Sequence, residues 1–263
     1  MIELKNVSYS YEKQVALRNI NLTIQEKEAV AFMGANGCGK STLLKILNGI
    51  LSPVCGSYCF DGEEVTAKKL QQPEFAKSLH QQIGFVFQNS DTQLFCSNVY
   101  DEIAFGPRQM GLPEEEIARR VENCLSLLGL EEYVERVPYH LSGGEKRKVA
   151  IACVMSMNPK VIILDEPMNG LDPKTQRWLV EFFQQLNLAG KTLIFSTHNL
   201  EVVHEISQRI ILFSENHEIA ADMQTEKLLE QTDLLQEVNL VDKYYHSHGI
   251  GHHKHYWDHK CEE

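Results

Sequence analysis

The order of apolar and polar residues divides the chain into segments with the spacing of strands and segments with the spacing of helices. Residues 1–25 alternate between the two classes, in IELKNVSYSY and then LRNINLTI, in the manner of strands. Four short apolar runs rich in β-branched and aromatic residues follow, and these are AVAFMG (29–34), IGFVFQ (83–88), VIILDE (161–166) and TLIFSTH (192–198). Uninterrupted runs of this length predict buried strands.

Helical segments separate these apolar runs. The first run ends in a glycine, which indicates a tight turn, and a helix is predicted after it from Lys40 to Asn48. Buried strands that alternate with helices are typical of an α/β fold around a mostly parallel sheet. We therefore predict a protein of the α/β class.

The region from about 97 to 158 has a different pattern. One group of its apolar residues is spaced four, four and three positions apart, which is the period of a helix face: Ile117, Val121, Leu125 and Leu128. No strong strand signal occurs in this region. We therefore predict a helical insert within the α/β core.

The C-terminal part of the chain falls into three predicted segments. From about residue 215 the sequence EIAAD predicts a strand, and TEKLLEQTDLLQEV predicts a helical extension. After residue 245 the apolar period disappears, which is typical of a mobile end. The predicted organisation is a main domain over 1–222, a helical extension over 223–245 and a tail over 246–263.

The tail is rich in histidine. Imidazole is a good ligand for nickel, cobalt and zinc ions, so a mobile histidine-rich segment is suited to capturing or sensing such an ion. The candidate ligands are His246, His248, His252, His253, His255 and His259, with Asp258 and Cys261 beside them. Two alternatives stay open, namely a solvated tail whose histidines bind nothing and an expression tag.

Composition narrows the possible functions. The chain has 263 residues, of which 43% are hydrophobic and 23% charged, as in ordinary globular proteins. Its net charge of −11 argues against binding nucleic acid mainly through the phosphates. No apolar run approaches the roughly eighteen residues of a membrane-spanning helix, and we see no secretory signal. Seven scattered cysteines, an odd number, favour reduced thiols in the cytosol.

The sequence GANGCGKST matches the pattern G-x-x-x-x-G-K-[ST] of a phosphate-binding loop and lies between a predicted strand and a predicted helix. Its glycines allow a tight turn whose backbone N–H groups point at an anion, and the helix N-terminus adds positive charge. The lysine can reach the β- and γ-phosphates, and the serine hydroxyl can ligate Mg²⁺. The predicted ATP-binding residues here are Gly34, Ala35, Asn36, Gly37, Cys38, Gly39, Lys40, Ser41 and Thr42. We also expect thiol reagents to inhibit at Cys38.

Two carboxylates end the apolar run VIILDE. Burying such charges is costly unless they have a partner or a task. Asp165 is the candidate for holding Mg²⁺, as the Walker B aspartate does in P-loop nucleotide hydrolases. Glu166 is then free to polarise the attacking water. His198 ends another core strand and is a candidate for contacting the γ-phosphate or that water.

With these motifs in place, the chain resembles the ATPase subunit of an ABC transporter over about residues 2–222. The segment LSGGEKRKVAIA is similar to the signature motif of that family and lies just before the Walker B strand. The resemblance implies that Tyr11 stacks on adenine, that Gln88 acts at the Mg²⁺ and the γ-phosphate, and that Asp172 belongs to a nucleotide-contacting loop. It also implies a P-loop, RecA-like core with an antiparallel β region and a helical insert.

The signature segment itself predicts a second anion site. Ser142 can cap the following helix, and the neighbouring Gly143 and Gly144 leave backbone N–H groups unshielded. Glu145 stands where the family more often has glutamine, but Ser-x-x-Glu is also a capping box, so we expect an active site. The resemblance implies a head-to-tail dimer in which ATP lies between the phosphate loop of one subunit and the signature of the other.

Residues 91–112 resemble a narrower branch of the family. The segments QLF and AFGP are similar to those of the ATPases of energy-coupling-factor transporters, the cobalt CbiO type included. This implies a second ATPase subunit, identical or paralogous, a transmembrane coupling protein and a substrate-binding membrane protein, with this chain at the cytoplasmic face of the cell membrane. The alternative is that Leu94, Phe95 and Phe105 are core residues of the helical insert.

The branch imports cobalt and nickel ions or vitamins. The histidine-rich tail favours cobalt or nickel, and vitamin uptake is the alternative. A soluble ABC ATPase that acts on DNA or ribosomes is a less favoured alternative, because such proteins usually carry a second ATPase domain or long coiled-coil insertions.

Overall fold

A computed structural model describes residues 1–241 and the backbone of two short segments, 245–248 and 251–254. The strands are β1 (Ile2–Tyr11), β2 (Gln14–Ile24), β3 (Ala29–Met33), β4 (Cys55–Phe60), β5 (Glu63–Glu64), β6 (Ile83–Val86), β7 (Val161–Leu164), β8 (Thr192–Ser196), β9 (Arg209–Phe213), β10 (Ile219–Gln224), β11 (Tyr245–His248) and β12 (Gly251–Lys254). The helices are α1 (Lys40–Asn48), α2 (Ala67–Leu70), α3 (Pro73–Gln82), α4 (Val99–Met110), α5 (Glu114–Leu128), α6 (Gly143–Met155), α7 (Pro173–Leu188), α8 (Leu200–Ile206), α9 (Thr225–Leu229) and α10 (Thr232–Glu237).

The centre of the molecule is a six-stranded sheet in the order β10-β9-β3-β8-β7-β6. All neighbouring pairs in it are parallel except β9 and β10, which are antiparallel. A second, antiparallel sheet has the order β2-β1-β4-β5. The predicted α/β fold with a mostly parallel sheet and an additional antiparallel region is confirmed.

The continuous apolar runs are explained by a core on both faces of the central sheet. In β7, Val161 and Ile163 pack in the cluster that includes the antiparallel sheet and α1. Ile162 and Leu164, which alternate with them, pack in the cluster formed with the helices of the insert. Since both faces are covered, every position of β7 is apolar and buried.

The strands end earlier than the apolar runs predict. The run 83–88 continues past β6, but its last backbone groups are bonded to side chains instead of to a neighbouring strand. Arg147 donates to the carbonyl oxygens of Phe87 and Gln88, and the side chain of Gln93 accepts from the N–H of Phe87. The run 161–166 continues past β7, but Glu166 has a φ of 45°, in the left-handed region. The polar residues Gln88 and Glu166 therefore lie just beyond the ends of β6 and β7, outside the regular strands.

The predicted helical insert contains α4, α5 and α6, which pack on one another. The apolar face predicted for α5 is buried, since Ile117, Val121, Leu125 and Leu128 all lie in the core. The C-terminal extension contains β10 and then two short helices, α9 and α10, in place of the one longer helix suggested by its sequence.

Part of the segment predicted as a mobile tail forms a pair of strands. The strands β11 and β12 pair antiparallel, with the backbone of His246 opposite that of His253. The sequences of these strands, YHSH and GHHK, show no apolar alternation, so periodicity does not indicate them. The side chains of the six candidate histidines lie outside the described residues, and so do His255 and His259 altogether.

The described part of the chain contains neither a membrane-spanning helix nor a cluster of metal-binding side chains. None of its helices combines the length and apolar character that crossing a membrane requires. Nor do its residues include a group of three or more histidine, cysteine, aspartate or glutamate side chains placed to hold a metal ion.

Candidate functional site

The candidate site is a cavity of about 370 Å³ at the carboxyl ends of the parallel strands β3, β7 and β8. Such an edge is where ligands bind in open α/β sheets, and the volume suits a small molecule. The residues that line it are Asn36, Gly37, Gly39, Lys40, Ser41, Thr42, Gln88, Glu166, Asn169 and His198. Most of the predicted phosphate-loop residues and the predicted Gln88, Glu166 and His198 therefore meet in one place.

The loop between β3 and α1 needs its glycines. Gly34, Gly37 and Gly39 have φ values of 145°, 84° and 112°, which other residues rarely adopt. At Gly39 an added Cβ atom would lie 2.3 Å from the carbonyl oxygen of Ala16. The backbone of the loop therefore turns tightly at the N-terminus of α1, with an open face toward the cavity.

Lys40 lies within the loop. Its ammonium group donates to the carbonyl oxygens of Gly34 at 2.8 Å and Ala35 at 3.0 Å. The side chain is buried apart from its contribution to the cavity wall. A positive charge held at the cavity in this way is suited to a phosphate anion.

Hydrogen bonds join the strand ends β7 and β8 to the start of α1. The Ser41 hydroxyl donates to Oδ1 of Asp165 at 2.9 Å, and the buried Ser196 hydroxyl donates to the same oxygen at 2.6 Å. Ser196 also accepts from the backbone N–H of Glu166 at 2.8 Å. Ser196 therefore holds the carboxylate of Asp165 and the backbone of Glu166. The sequence prediction missed Ser196, because its two partners lie about 30 positions away in sequence.

Glu166 and His198 form a pair at the cavity. Glu166 is 8% exposed and has a strained left-handed backbone, which turns its carboxylate away from the strand direction. Oε2 of Glu166 lies 3.1 Å from Nδ1 of His198. A buried carboxylate beside an imidazole at a cavity can accept a proton from a bound water. Asn169 lines the same cavity; it begins the loop that the family resemblance places at 169–172, although only Asp172 was predicted as a binding residue.

Of three other predicted site residues, Gln88 lines the cavity, Tyr11 lies beside the phosphate loop and Asp172 lies outside the cavity lining. Gln88 is exposed and lines it. Tyr11 is exposed, and its hydroxyl is 3.5 Å from Oγ1 of Thr42, which places the ring beside the phosphate loop. Asp172 does not line the cavity; its carboxylate caps α7 by accepting from the backbone N–H and the hydroxyl of Thr175, and these bonds lower its pKa.

The predicted signature site does not line this cavity either, and forms a separate helix N-terminus. Ser142 caps α6, with Gly143 and Gly144 in the first turn. The capping box is confirmed, because Glu145 accepts from the N–H of Ser142 at 2.7 Å and the Ser142 hydroxyl accepts from the N–H of Glu145 at 3.4 Å. The carboxylate of Glu145 is therefore turned back onto its own helix.

Cys38 is a residue of the phosphate loop whose side chain is buried, at 2% exposed. Burial raises the pKa of its thiol, although the nearby Lys40 opposes this rise. A buried thiol with a raised pKa reacts slowly with thiol reagents. The geometry therefore counts against the predicted thiol inhibition in this conformation.

Comparison with known proteins identifies the family. The family model described as ABC transporter matches residues 17–169, which is more than half of the chain. The chain belongs to the ABC transporter family. The predictions of an ABC-type fold, of an ATPase and of ATP as its nucleotide are confirmed.

Relatives within the family agree with the narrower resemblance. The chain is 43% identical to the nickel import ATP-binding protein LarO of Lactiplantibacillus plantarum, over 88% of this chain and 96% of LarO. It is 41% identical to the energy-coupling factor transporter ATP-binding protein EcfA of Methanothermobacter thermautotrophicus, over 91% of this chain and 76% of EcfA. Among solved structures, cbiO1 of Clostridium perfringens, part of the ABC transporter complex cbiONQ, matches with a TM-score of 0.78 and 34% identity, over 91% of this chain and 94% of cbiO1.

The bonds of Ser196 lead to a stability prediction. In Ser196→Ala, Asp165 loses one donor and the N–H of Glu166 loses its acceptor, so the free energy of unfolding should fall by about 1–3 kcal/mol. Urea unfolding followed by tryptophan fluorescence measures the change. The control is Ser214→Ala, which removes a half-buried serine just after β9 of the same sheet, and it should change stability far less. Equal effects of the two substitutions would contradict the role assigned to Ser196.

Glu145 leads to a prediction about pH. Its bond from the Ser142 N–H, and next the contact with Tyr133, hold its pKa below the usual 4.5. Glutamine can keep the cap but not the charge, so Glu145→Gln should lower the free energy of unfolding by about 0.3–1 kcal/mol at pH 7. A depressed carboxyl pKa stabilises the fold above the unfolded value, so the difference should vanish as pH falls from 4.5 through the folded pKa. Thermal unfolding between pH 3 and 7 tests this, with the exposed Glu122→Gln as the control; a difference that does not depend on pH would contradict it.

Proposed function

We propose that this ABC ATPase powers an importer of the energy-coupling-factor type, with cobalt or nickel ions as the cargo. The observation that carries the hydrolytic part is the Glu166–His198 pair, which faces a cavity also lined by the phosphate loop. A carboxylate in that position can act on a water beside the terminal phosphate of a bound nucleotide. The cargo is inferred from the tail histidines and the named relatives, and the membrane partner from the exposed aromatic residues of the insert.

The phosphate loop and its lysine bind the nucleotide in this proposal. Backbone N–H groups of the loop and the ammonium group of Lys40 contact the β- and γ-phosphates. Tyr11, beside the loop, stacks on the adenine ring. The loop binds substrate and product phosphates, so its contribution is mainly to nucleotide affinity.

The residues present fit a magnesium ion. The Ser41 hydroxyl and the Asp165 carboxylate lie 2.9 Å apart at the loop, and Gln88 lines the same cavity. These are hard oxygen donors, as Mg²⁺ prefers, and Mg²⁺ usually keeps several waters. Bound there, the ion neutralises charge on the β- and γ-phosphates. The proposed ligands are Ser41, Gln88 and Asp165, the last through water.

Glu166 is the proposed general base. It accepts a proton from the attacking water as the new oxygen–phosphorus bond forms and the bond to the leaving ADP oxygen breaks. His198, 3.1 Å from Glu166, orients that carboxylate and contacts the γ-phosphate or the water. The two residues follow different strands, β7 and β8, so the sheet determines their separation.

Dimer formation completes the proposed site. The N-terminus of α6, with Ser142, Gly143 and Gly144, offers N–H groups to an anion but does not line the cavity of its own chain. A second subunit placed head to tail brings this segment, together with Glu145 and Asp172, to the nucleotide. Nucleotide binding then closes the dimer, and hydrolysis releases it.

The exposed aromatic residues of the insert support a membrane partner. Phe95 and Phe105 are 68% and 42% exposed and contact each other edge to face, while Leu94 packs against the core. The core-residue alternative is therefore wrong for the two phenylalanines and holds for Leu94. Paired exposed aromatic rings suit a protein partner. We propose that the transmembrane coupling protein contacts them, with this chain at the cytoplasmic face of the membrane.

The proposed cargo rests on two lines of support. The relatives LarO and cbiO1 carry names that refer to nickel import and to the cbiONQ complex. The six tail histidines of this chain are good donors for the same class of ion. The name of EcfA specifies no cargo, and vitamin uptake by the same motor is the alternative that the cargo experiment distinguishes.

The catalytic assignment predicts different effects for two substitutions. Glu166→Gln should bind ATP but lower kcat by at least about 100-fold and accumulate as an ATP-bound dimer. Lys40→Ala should instead weaken nucleotide binding, because it removes the charge that the loop places at the phosphates. ATPase assays, nucleotide titration and size-exclusion chromatography measure these effects. The control is the exposed Glu115→Gln on α5. Hydrolysis by Glu166→Gln at the wild-type rate would refute the assignment.

Cargo is tested by accumulation of cobalt, nickel and labelled vitamins in cells that carry the whole transporter. Cells with the wild-type chain are compared with cells carrying Glu166→Gln or Glu115→Gln. We expect Glu166→Gln to abolish accumulation of cobalt or nickel alone, because import requires hydrolysis. Loss of vitamin uptake alone would overturn the cargo but keep the motor. If the loss is confined to cobalt or nickel, truncation of the tail at residue 245 tests whether the histidines contribute.

A further inference from the structure

Side chains of α6 hold the segment 87–93, which follows β6 and carries Gln88. The guanidinium of Arg147 donates to the carbonyl oxygens of Phe87, at 2.6 Å, and of Gln88. Lys146 forms an ion pair of 2.7 Å with Asp91. These contacts span about 60 residues of sequence and join the helix that begins at the signature to the segment that lines the nucleotide cavity.

Gln93 also joins the segment 87–93 to α6. Its amide oxygen accepts from the N–H of Phe87 at 3.1 Å, and its amide nitrogen donates to the carbonyl of Ala150 on α6 at 3.1 Å. The backbone at Phe87 is thus bound on both its N–H and its carbonyl side. The segment and the helix are joined by a network rather than by one contact.

Burying the charged side chain of Arg147 in this network costs free energy. It is 4% exposed, and its Nε atom has no hydrogen-bond partner among the described residues. Burial lowers the pKa of the guanidinium, and the charge of Asp165 opposes that change. A buried cation bonded to neutral carbonyls contributes little net stability compared with an apolar side chain of similar volume. A positional role explains the arrangement better than a contribution to stability.

The network joins two proposed nucleotide contacts, namely Gln88 and the N-terminus of α6. Gln88 faces the cavity of its own chain. Arg147 lies one and a half turns along α6 from Ser142, which caps the helix N-terminus proposed to face the partner's nucleotide. A displacement of Gln88 by nucleotide or magnesium is therefore transmitted to α6 through these contacts.

We propose that Arg147 is a positioning residue that fixes Gln88 to α6, so that nucleotide engagement in one subunit sets the position of the signature segment offered to the other. The proposal rests on the proposed function, since it assumes the head-to-tail dimer. It assigns Arg147 no contact with nucleotide. Its effect should appear in turnover and in cooperativity between the two sites, rather than in binding of nucleotide to the phosphate loop.

The test is a double-mutant cycle of Arg147→Met and Gln88→Ala in the full-length protein. Methionine removes the donors and the buried charge but keeps much of the side-chain volume. We expect Arg147→Met to lower kcat at least about tenfold, to change KM for ATP less than about threefold, and to bring the Hill coefficient for ATP toward one. The double variant should be no slower than the slower single variant, because both substitutions break one connection.

The control is Arg119→Met on α5, an arginine of the same insert whose exposed side chain pairs with Glu116; it should behave as wild type. Losses that multiply in the double variant, or an unchanged kcat and Hill coefficient in Arg147→Met, would overturn the proposal. If Arg147→Met does not fold, the cycle is run with Arg147→Lys, which keeps the charge but not the two-pronged donation, and the same two outcomes apply.

The failure of this proposal is distinguishable from failure of the proposed function. Wild-type protein that hydrolyses ATP, with Glu166→Gln inactive and Arg147 variants unchanged, would refute the positioning role alone. Hydrolysis that survives Glu166→Gln would refute the catalytic assignment, whatever the Arg147 variants do.

Discussion

The site depends on one oxygen atom, Oδ1 of Asp165, which accepts hydrogen bonds from Ser41 and Ser196. A carboxylate at the end of a buried strand is costly without such partners. Here its donors come from the start of α1 and from the end of β8, so satisfying this charge joins three elements at one edge of the sheet. The phosphate loop, Glu166 and His198 are positioned by the same elements. Stability and chemistry therefore rest on the same contacts.

The chain is acidic overall, with a net charge of −11, yet its ligand is an anion. Local structure resolves this conflict. The N-termini of α1 and α6 present backbone N–H groups, and Lys40 adds a full positive charge at the first of them. At the second, Glu145 is bonded to the N–H of Ser142 and is thereby kept in the cap. The phosphate-loop site and the proposed signature site thus rely on backbone geometry more than on the net charge of the protein.

The two proposed nucleotide contacts are connected inside one chain. Arg147, Gln93 and Lys146 join the segment of Gln88 to α6, and the insert that carries α6 also carries the exposed Phe95 and Phe105. A partner bound at those rings and a nucleotide bound at Gln88 would therefore act on the same packed unit. In a motor, this arrangement is a physical route by which hydrolysis and movement of a membrane protein are linked.

The sequence by itself determined the family, the strand and helix classes and most residues of the cavity, because periodicity and the G-x-x-x-x-G-K-S pattern depend on local backbone requirements. Helix α1 begins and ends where predicted, and the Ser142–Glu145 box forms as predicted. Only the tertiary structure revealed Ser196 and Arg147, whose partners lie about 30 and 60 positions away in sequence. It likewise decided that β6 and β7 end early and that β11 pairs with β12. Those features depend on which distant groups meet across a sheet or a helix, and hydrophobic periodicity along the chain carries no record of such pairings.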